Sequence, residues 1–222
     1  MGKGNILNIL EKQLGQLLKC RLLPDKTYLA GGTAVYFYLN HRISVDLDFF
    51  TPTPFNSDLL VHKIRMCVDP VQVELMEENT VILYVSKEEV KFSLFLFPYK
   101  NMVENYPFSL QDGTICSLAS LQDLVAMKAV AITQRGSIKD FFDLYMLIDK
   151  MGYHFQDILK LVIGKYNVTG VYAYQLKTAL VYFEDAEKEV DNIIMIKDNK
   201  GNKKLSSREW QRIKIFFQEF IR

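Results

Sequence analysis

The chain has 222 residues, 49% of them hydrophobic, with 27 Lys and Arg against 26 Asp and Glu. That length and apolar content support a substantial buried core, while the near-neutral balance excludes the strongly basic surface of a general nucleic-acid binder, so that an RNA substrate requires a local patch. No apolar run reaches the roughly 18 residues needed to span a bilayer, and a cytoplasmic protein without a membrane partner is expected.

The N-terminal stretch MGKGNILNILEKQLGQLL mixes its apolar residues with Glu11, Lys12 and Gln13, which reads as an amphipathic helix and not as a signal peptide. Ile6, Ile9, Leu10, Leu14, Leu17 and Leu18 form its apolar stripe, and Pro24 stops it. Cys20, Cys67 and Cys116 are odd in number and lack metal-ligand spacing, so reduced structural thiols are expected. His41, His62 and His154 are too scattered to suggest zinc.

A short strand over 27–30 leads into Gly31, Gly32 and Thr33. The two glycines let backbone N–H groups approach a phosphate, and Thr33 opens a helix to Asn40 whose positive end faces the same place. Ile43, Val45, Leu47 and Phe49 then alternate with Ser44, Asp46, Asp48 and Phe50, the pattern of a half-buried strand with both aspartates on its polar face. Side chains two apart on a strand are separated by roughly 6.6 Å, so the pair can close on one hard cation or on two neighbouring ones. Magnesium carried by a nucleotide is the natural guest. An Asp-x-Asp alone is common; its conjunction with the glycine turn is what points to chemistry.

Asn56 or Ser57 caps a helix to about Val68. The period then changes to that of strands at 71–77, 80–86 and 90–97, the last two joined at Lys87, Glu88 and Glu89. Phe92, Phe95, Phe97 and Tyr99 fit a core strand or a base-stacking surface. After Pro98 and Pro107 a helical signature takes over. Ser120 followed by Asp123 starts a helix to about Thr133, and Arg135, Gly136 and Ser137 separate it from one at 138–150. Helices are expected at 155–165 and 170–190, followed by the loop KDNKGNKK. Ser206-x-x-Glu209 caps a last helix carrying Trp210, Ile213, Phe217 and Phe220 on one face.

The segment GGTAVYFYLNHRISVDLDFF resembles the glycine-turn and DxD signature of the nucleotidyltransferase superfamily, and closely its AbiEii/AbiGii-type toxin branch. A second block, SLASLQDLVAMKAVAITQRGSIKDFFDLYMLI from Ser117 to Ile148, resembles that branch's later motif, with Lys128, Arg135, Lys139, Asp140 and Asp143 in matching places. With VKFSLFLFPY between them, the resemblance covers about residues 27–150. It implies an α/β (α+β) fold: a nucleotidyltransferase-like mixed sheet with flanking helices over 1–112, and a helical domain over 113–222 that completes a cleft.

Function follows as an expectation from the same resemblance. A toxin of a bacterial toxin-antitoxin or abortive-infection system would transfer a nucleoside monophosphate from an NTP to an RNA (tRNA-like) or protein acceptor, with a cognate antitoxin as partner. Asp46 and Asp48 would hold Mg2+ or Mn2+, the Gly31 and Gly32 backbone would cradle the triphosphate, and Thr33 would add a hydroxyl contact. Lys128, set among apolar neighbours, either snorkels to solvent or points into the cleft as a phosphate ligand. Asp140 would line the same cleft, and Asp143 is assigned structural support. Arg42 pairs with an aspartate, reaches a phosphate, or is an exposed loop cation.

One departure weakens the enzymatic reading. Many nucleotidyltransferases place a third carboxylate on a later strand beside the pair, where VKFSLFLF offers Ser93 with Lys91 and Phe95 flanking it. Glu74 is a candidate substitute. The alternative is therefore a catalytically weak nucleotide-binding or interaction module that keeps the fold.

Overall fold

The computed structural model describes residues 3–196 and 201–222, with side chains from residue 7 onward. The chain divides into two compact units. The first comprises residues 1–34, 44–100 and 104–119, and the second residues 35–43, 101–103 and 120–222.

The first unit is built on a mixed sheet. Among the described residues it has seven strands: β1 (Tyr28–Leu29), β2 (Leu47–Thr51), β3 (Val71–Glu77), β4 (Thr80–Val85), β5 (Val90–Leu96), β6 (Tyr106–Ser109) and β7 (Ile115–Leu118), in the order β3-β4-β5-β2-β1-β7-β6. β2 runs parallel to β5, and β1 parallel to β7; the other neighbours are antiparallel. One face is apolar because the strands alternate as expected. Leu47 and Phe49, Val81, Leu83 and Val85, and Phe92 and Leu94 are all buried. Helix α1 (Lys3–Lys19) lies against β7 and supplies Leu10, Leu14 and Leu17, while α3 (Ser57–Arg65) lies against β3 and β4 and supplies Leu60, Val61 and Ile64. Asn56 caps α3 by accepting the Leu59 amide at 2.8 Å.

The second unit gathers α4 (Leu121–Arg135), α5 (Ile138–Met151), α6 (Phe155–Tyr166), α7 (Tyr172–Leu180), α8 (Glu184–Glu187) and α9 (Ser207–Phe220). Ser120 caps α4, left-handed Gly136 ends it, and Ser206 with Glu209 forms a capping box on α9. Phe141 centres an aromatic core, with ring centroids 5.3, 5.4 and 6.0 Å from Phe183, Phe217 and Trp210. That packing explains why the helix expected over 170–190 is broken. Phe183 turns into the core between α7 and α8, and burial outweighs helical propensity there.

Helix α2 (Gly31–Leu39) starts two residues earlier than expected, and β2 starts after Asp46. Val45 is exposed and Ser44 buried, so the alternation holds only from Asp46 onward. Two hairpins replace expected loop or helix. β6 with β7 places Pro107 on the sheet's edge, where its missing N–H is tolerated. The other pairs β8 (Ile194–Met195) with β9 (Lys203–Lys204); residues 197–200 of the expected loop between them lie outside the described residues. The expectation of three reduced thiols is corrected as well: Cys20 and Cys67 form a disulfide with Cα atoms 6.3 Å apart, joining the chain just beyond α1 to the chain just beyond α3, and Cys116 alone is free and buried. Among the described residues no helix is long and apolar enough to cross a membrane.

Candidate functional site

The glycine turn and the acidic strand are one construction. Ala30 N donates to the Asp48 carbonyl at 2.9 Å, which brings the start of α2 alongside β2. Gly31 adopts φ +66°, a left-handed conformation, and a Cβ there would lie 2.7 Å from Asp48 Oδ2. Both the backbone and the space demand glycine. Thr33 is fully buried, and its hydroxyl donates to the carbonyl of Asp46 while lying 3.1 Å from Ser44 Oγ. It thereby fixes the chain on which Asp46 is carried. Gly32 is buried between them in the first turn of α2, and both aspartate side chains are half-buried.

Beside this pair the parallel register sets Ser93 opposite Asp48 and Phe92 opposite Leu47. Ser93 is 2% exposed, and a serine therefore stands opposite Asp48 where the resemblance implies a third carboxylate. Lys91 follows on the same face by alternation. Its Nζ lies 2.9 Å from Glu74 Oε2 and 5.7 Å from the centre of the Tyr84 ring. Glu74 sits where β3 is bulged against β4, between Val73 and Leu75. Its carboxylate is therefore engaged by a lysine, and it is not a third acid at the pair. Hydrogen bonding to Glu74 raises the Lys91 pKa above its ordinary value, with the charge of Asp46 adding to the rise.

A second charged cluster belongs to the helical unit and centres on Asp143. Arg42 grips its carboxylate with two parallel bonds, Nε to Oδ1 at 2.6 Å and Nη2 to Oδ2 at 2.7 Å. His41 Nε2 meets Oδ1 at 2.6 Å, and Lys128 Nζ meets Oδ2 at 2.7 Å. Lys128 also bonds Asp140 Oδ1 at 2.8 Å, and Arg135 reaches the same carboxylate at 2.6 and 3.0 Å. The backbone of 41–43 is pinned to β8, Ile43 N bonding the Ile194 carbonyl and Ile196 N the His41 carbonyl.

Burial alone would push the Asp143 and Asp140 carboxyls up, but the cations around them prevail and hold both below the usual carboxylate range. Burial lowers His41 despite the pull of Asp143. Lys128 is penalised by burial yet held above the ordinary lysine value by Asp143 and Asp140. It does not snorkel, since its side chain is 7% exposed. Of the sequence alternatives for Arg42, pairing with an aspartate is the one observed, and the partner is Asp143.

One buried pair escaped the sequence reading. Asp123, whose amide donates to the α4 cap Ser120 Oγ at 3.0 Å, also accepts from Lys165 Nζ at 2.6 Å and from Met102 N at 3.1 Å. The available signal was Lys165 itself, a lysine on a helix whose buried face carries Phe155, Ile158 and Val162.

Among the described residues no cluster of three or more His, Cys, Asp or Glu side chains is placed to hold a metal. Two half-buried carboxylates are instead a hard-oxygen donor set of the size magnesium accepts when it arrives with phosphate oxygens and waters. The close seat of Asp48 on Gly31 fits that use, because a phosphate cradled at the turn would lie beside the carboxylate.

Residues 14–220 match the family described as nucleotidyl transferase AbiEii toxin, type IV toxin-antitoxin system. An uncharacterized protein of Aquifex aeolicus (strain VF5) is 40% identical over 165 residues, 73% of this chain and 76% of that protein. Among solved structures, a protein from H. pylori described as a nucleotidyltransferase aligns with TM-score 0.54 and 15% identity, covering 100% of this chain and 96% of that one. The MenT4 nucleotidyltransferase toxin of Mycobacterium tuberculosis H37Rv aligns with TM-score 0.50 and 10% identity, covering 95% and 84%. At these identities the two structures show a shared fold.

Proposed function

The chain belongs to the AbiEii nucleotidyltransferase toxin family, and from that premise we propose that it transfers a nucleoside monophosphate from an NTP to an acceptor hydroxyl on RNA or protein. The acceptor oxygen attacks the α-phosphorus, the bond from that phosphorus to the bridging oxygen breaks, and pyrophosphate leaves while the hydroxyl proton passes to solvent. Asp46 and Asp48 are the proposed ligands of one Mg2+ or Mn2+. When bound, that ion neutralises charge on the phosphate oxygens.

The chain's own residues supply positioning. Backbone groups of Gly31 and Gly32 hold the phosphates at the positive end of α2, and Thr33 keeps Asp46 in register with them. Arg42, Lys128 and Asp140 enter as the charged scaffold around Asp143; a phosphate reaching Lys128 would have to displace one of its two carboxylates. A cytoplasmic location and a cognate antitoxin complete the reading. The observation that carries it is the contact between the Asp48 carboxylate and the Gly31 turn.

The test is incubation of the purified protein with each labelled NTP, magnesium, and total RNA or protein. Label should pass to one acceptor class, and Asp48→Ala should abolish both the transfer and metal-dependent NTP binding. Undiminished NTP binding in Asp46→Ala/Asp48→Ala would sink the assignment. The second reading, a catalytically weak nucleotide-binding module, is favoured by Ser93 opposite Asp48. It predicts binding in the same assay without transfer.

A further inference from the structure

The sheet face that carries the two aspartates also carries a cation that the family-level reading does not use. Register pairs Leu47 with Phe92 and Asp48 with Ser93, and Asp46, the residue just before β2, is near enough to Lys91 on β5 for its charge to act on the ammonium. Register neighbours on adjacent strands lie about 5 Å apart at the backbone, and a lysine side chain is long enough to sweep across such a neighbour. The Lys91 side chain is 31% exposed and the Glu74 side chain 42%. Lys91 is half-buried and Glu74 exposed; the ion pair with Glu74 and the Tyr84 ring hold the ammonium.

The electrostatics of the face give this cation a task. Asp46 and Asp48 present two negative charges, and a triphosphate adds several more. Where two metals serve such a reaction, they share this load. Here the position opposite Asp48 is a serine, so a second divalent ion lacks a carboxylate ligand. Lys91 stands one alternation away from that position on the same strand.

We infer that Lys91 is a substrate-contact residue whose ammonium, held by Glu74 in the free protein, swings to the phosphate oxygens of an NTP bound beside Asp46 and Asp48 and supplies the positive charge of an absent second metal. This rests on the nucleotidyl-transfer reading. Glu74 is then a positioning residue that competes with the nucleotide for the same ammonium. The two variants therefore act in opposite directions. Lys91→Ala removes a charge-assisted hydrogen bond to phosphate, weakening nucleotide affinity roughly tenfold to a hundredfold. Glu74→Gln releases the ammonium and strengthens affinity severalfold. A merely structural ion pair would give losses, or no change, in both.

The experiment is calorimetry of the full-length protein with the α,β-methylene analogues of ATP, GTP, CTP and UTP in magnesium, repeated with Mn2+ and paramagnetic-resonance counting of bound metal. Expected are one Mn2+ per bound analogue in the wild type, weaker binding in Lys91→Ala, near-wild-type binding in Lys91→Arg, and tighter binding in Glu74→Gln. Two Mn2+ per analogue in the wild type, or unchanged binding in Lys91→Ala, would overturn the inference. Asp48→Ala separates the two levels of the argument. If it loses metal-dependent binding while Lys91→Ala does not, the site stands and the role of Lys91 falls; if neither loses it, the nucleotide site itself falls.

Discussion

Ser93 on β5 stands directly opposite Asp48 on β2 in a parallel register. A carboxylate placed there would share the face of the aspartate pair. Ser93→Asp should therefore destabilise the metal-free protein by like-charge repulsion and recover more stability from magnesium than the wild type does. Paired melting curves with and without magnesium and NTP read the difference. Equal magnesium responses would place residue 93 away from the metal and remove the argument that a missing acid weakens catalysis.

Gly31→Ala meets both a left-handed backbone, φ +66°, and the Asp48 carboxylate at 2.7 Å. The left-handed conformation alone costs about 1–2 kcal/mol for a residue with a Cβ, and the carboxylate must also move. The expected outcome is a lower melting temperature together with a loss of metal-dependent NTP affinity larger than the stability change explains. Nucleotide affinity equal to wild type in the folded variant would show that Asp48 need not sit on the turn.

Lys128→Ala leaves Asp140 and Asp143 buried with fewer cations. Breaking a buried ionic network by removing one partner costs about 3–5 kcal/mol. Arg135→Ala removes a side chain that is 65% exposed, so it should cost within about 1 kcal/mol. Urea denaturation of the two variants tests the contrast, and similar losses would mean that Lys128 is solvated in solution.

The same cluster sets a pH profile. Burial holds His41 below its ordinary value of 6.5, so the unfolded chain takes up that proton first and stability declines as pH falls below about 6.5. Asp140 and Asp143 are held below 3.8. Their contribution is fully present above about pH 4 and is lost as pH falls through their folded values. Denaturation midpoints from pH 8 to pH 3 should show a shallow limb and then a steep one. His41→Asn should flatten the first and spare the second; an unaltered first limb would assign it to another group.

The long alternating strands and capped helices were legible because their signals are local. β3, β4 and β5, the Asn56 cap and the Ser206 capping box all follow from residues within a few positions of one another. The β6–β7 hairpin was not legible. Each strand has four residues, Pro107 interrupts β6, which is mostly exposed, and the adjacent apolar Ile115 and Cys116 hide in the sequence the alternating burial that β7 shows. The aspartate pair, Gly31 and Ser93 could be placed because a parallel neighbour of β2 preserves the face. Lys128 could not be, since a helical period says which face a residue occupies and not which carboxylates come from another helix to meet it. Glu74 and Lys91 meet across the intervening β4, on a strand with an irregular step, and no sequence spacing encodes that.

Thr33 offers its hydroxyl to the Asp46 carbonyl, and Ala30 offers its amide to the Asp48 carbonyl. These two bonds rivet the turn and the acidic segment together on either side of Gly31, so thermal motion carries them as a single body. The gap between phosphate cradle and carboxylates is then set in the empty protein. An arriving nucleotide freezes little of the backbone at this spot, and the ordering entropy of binding falls instead on mobile side chains and on the ligand's own torsions.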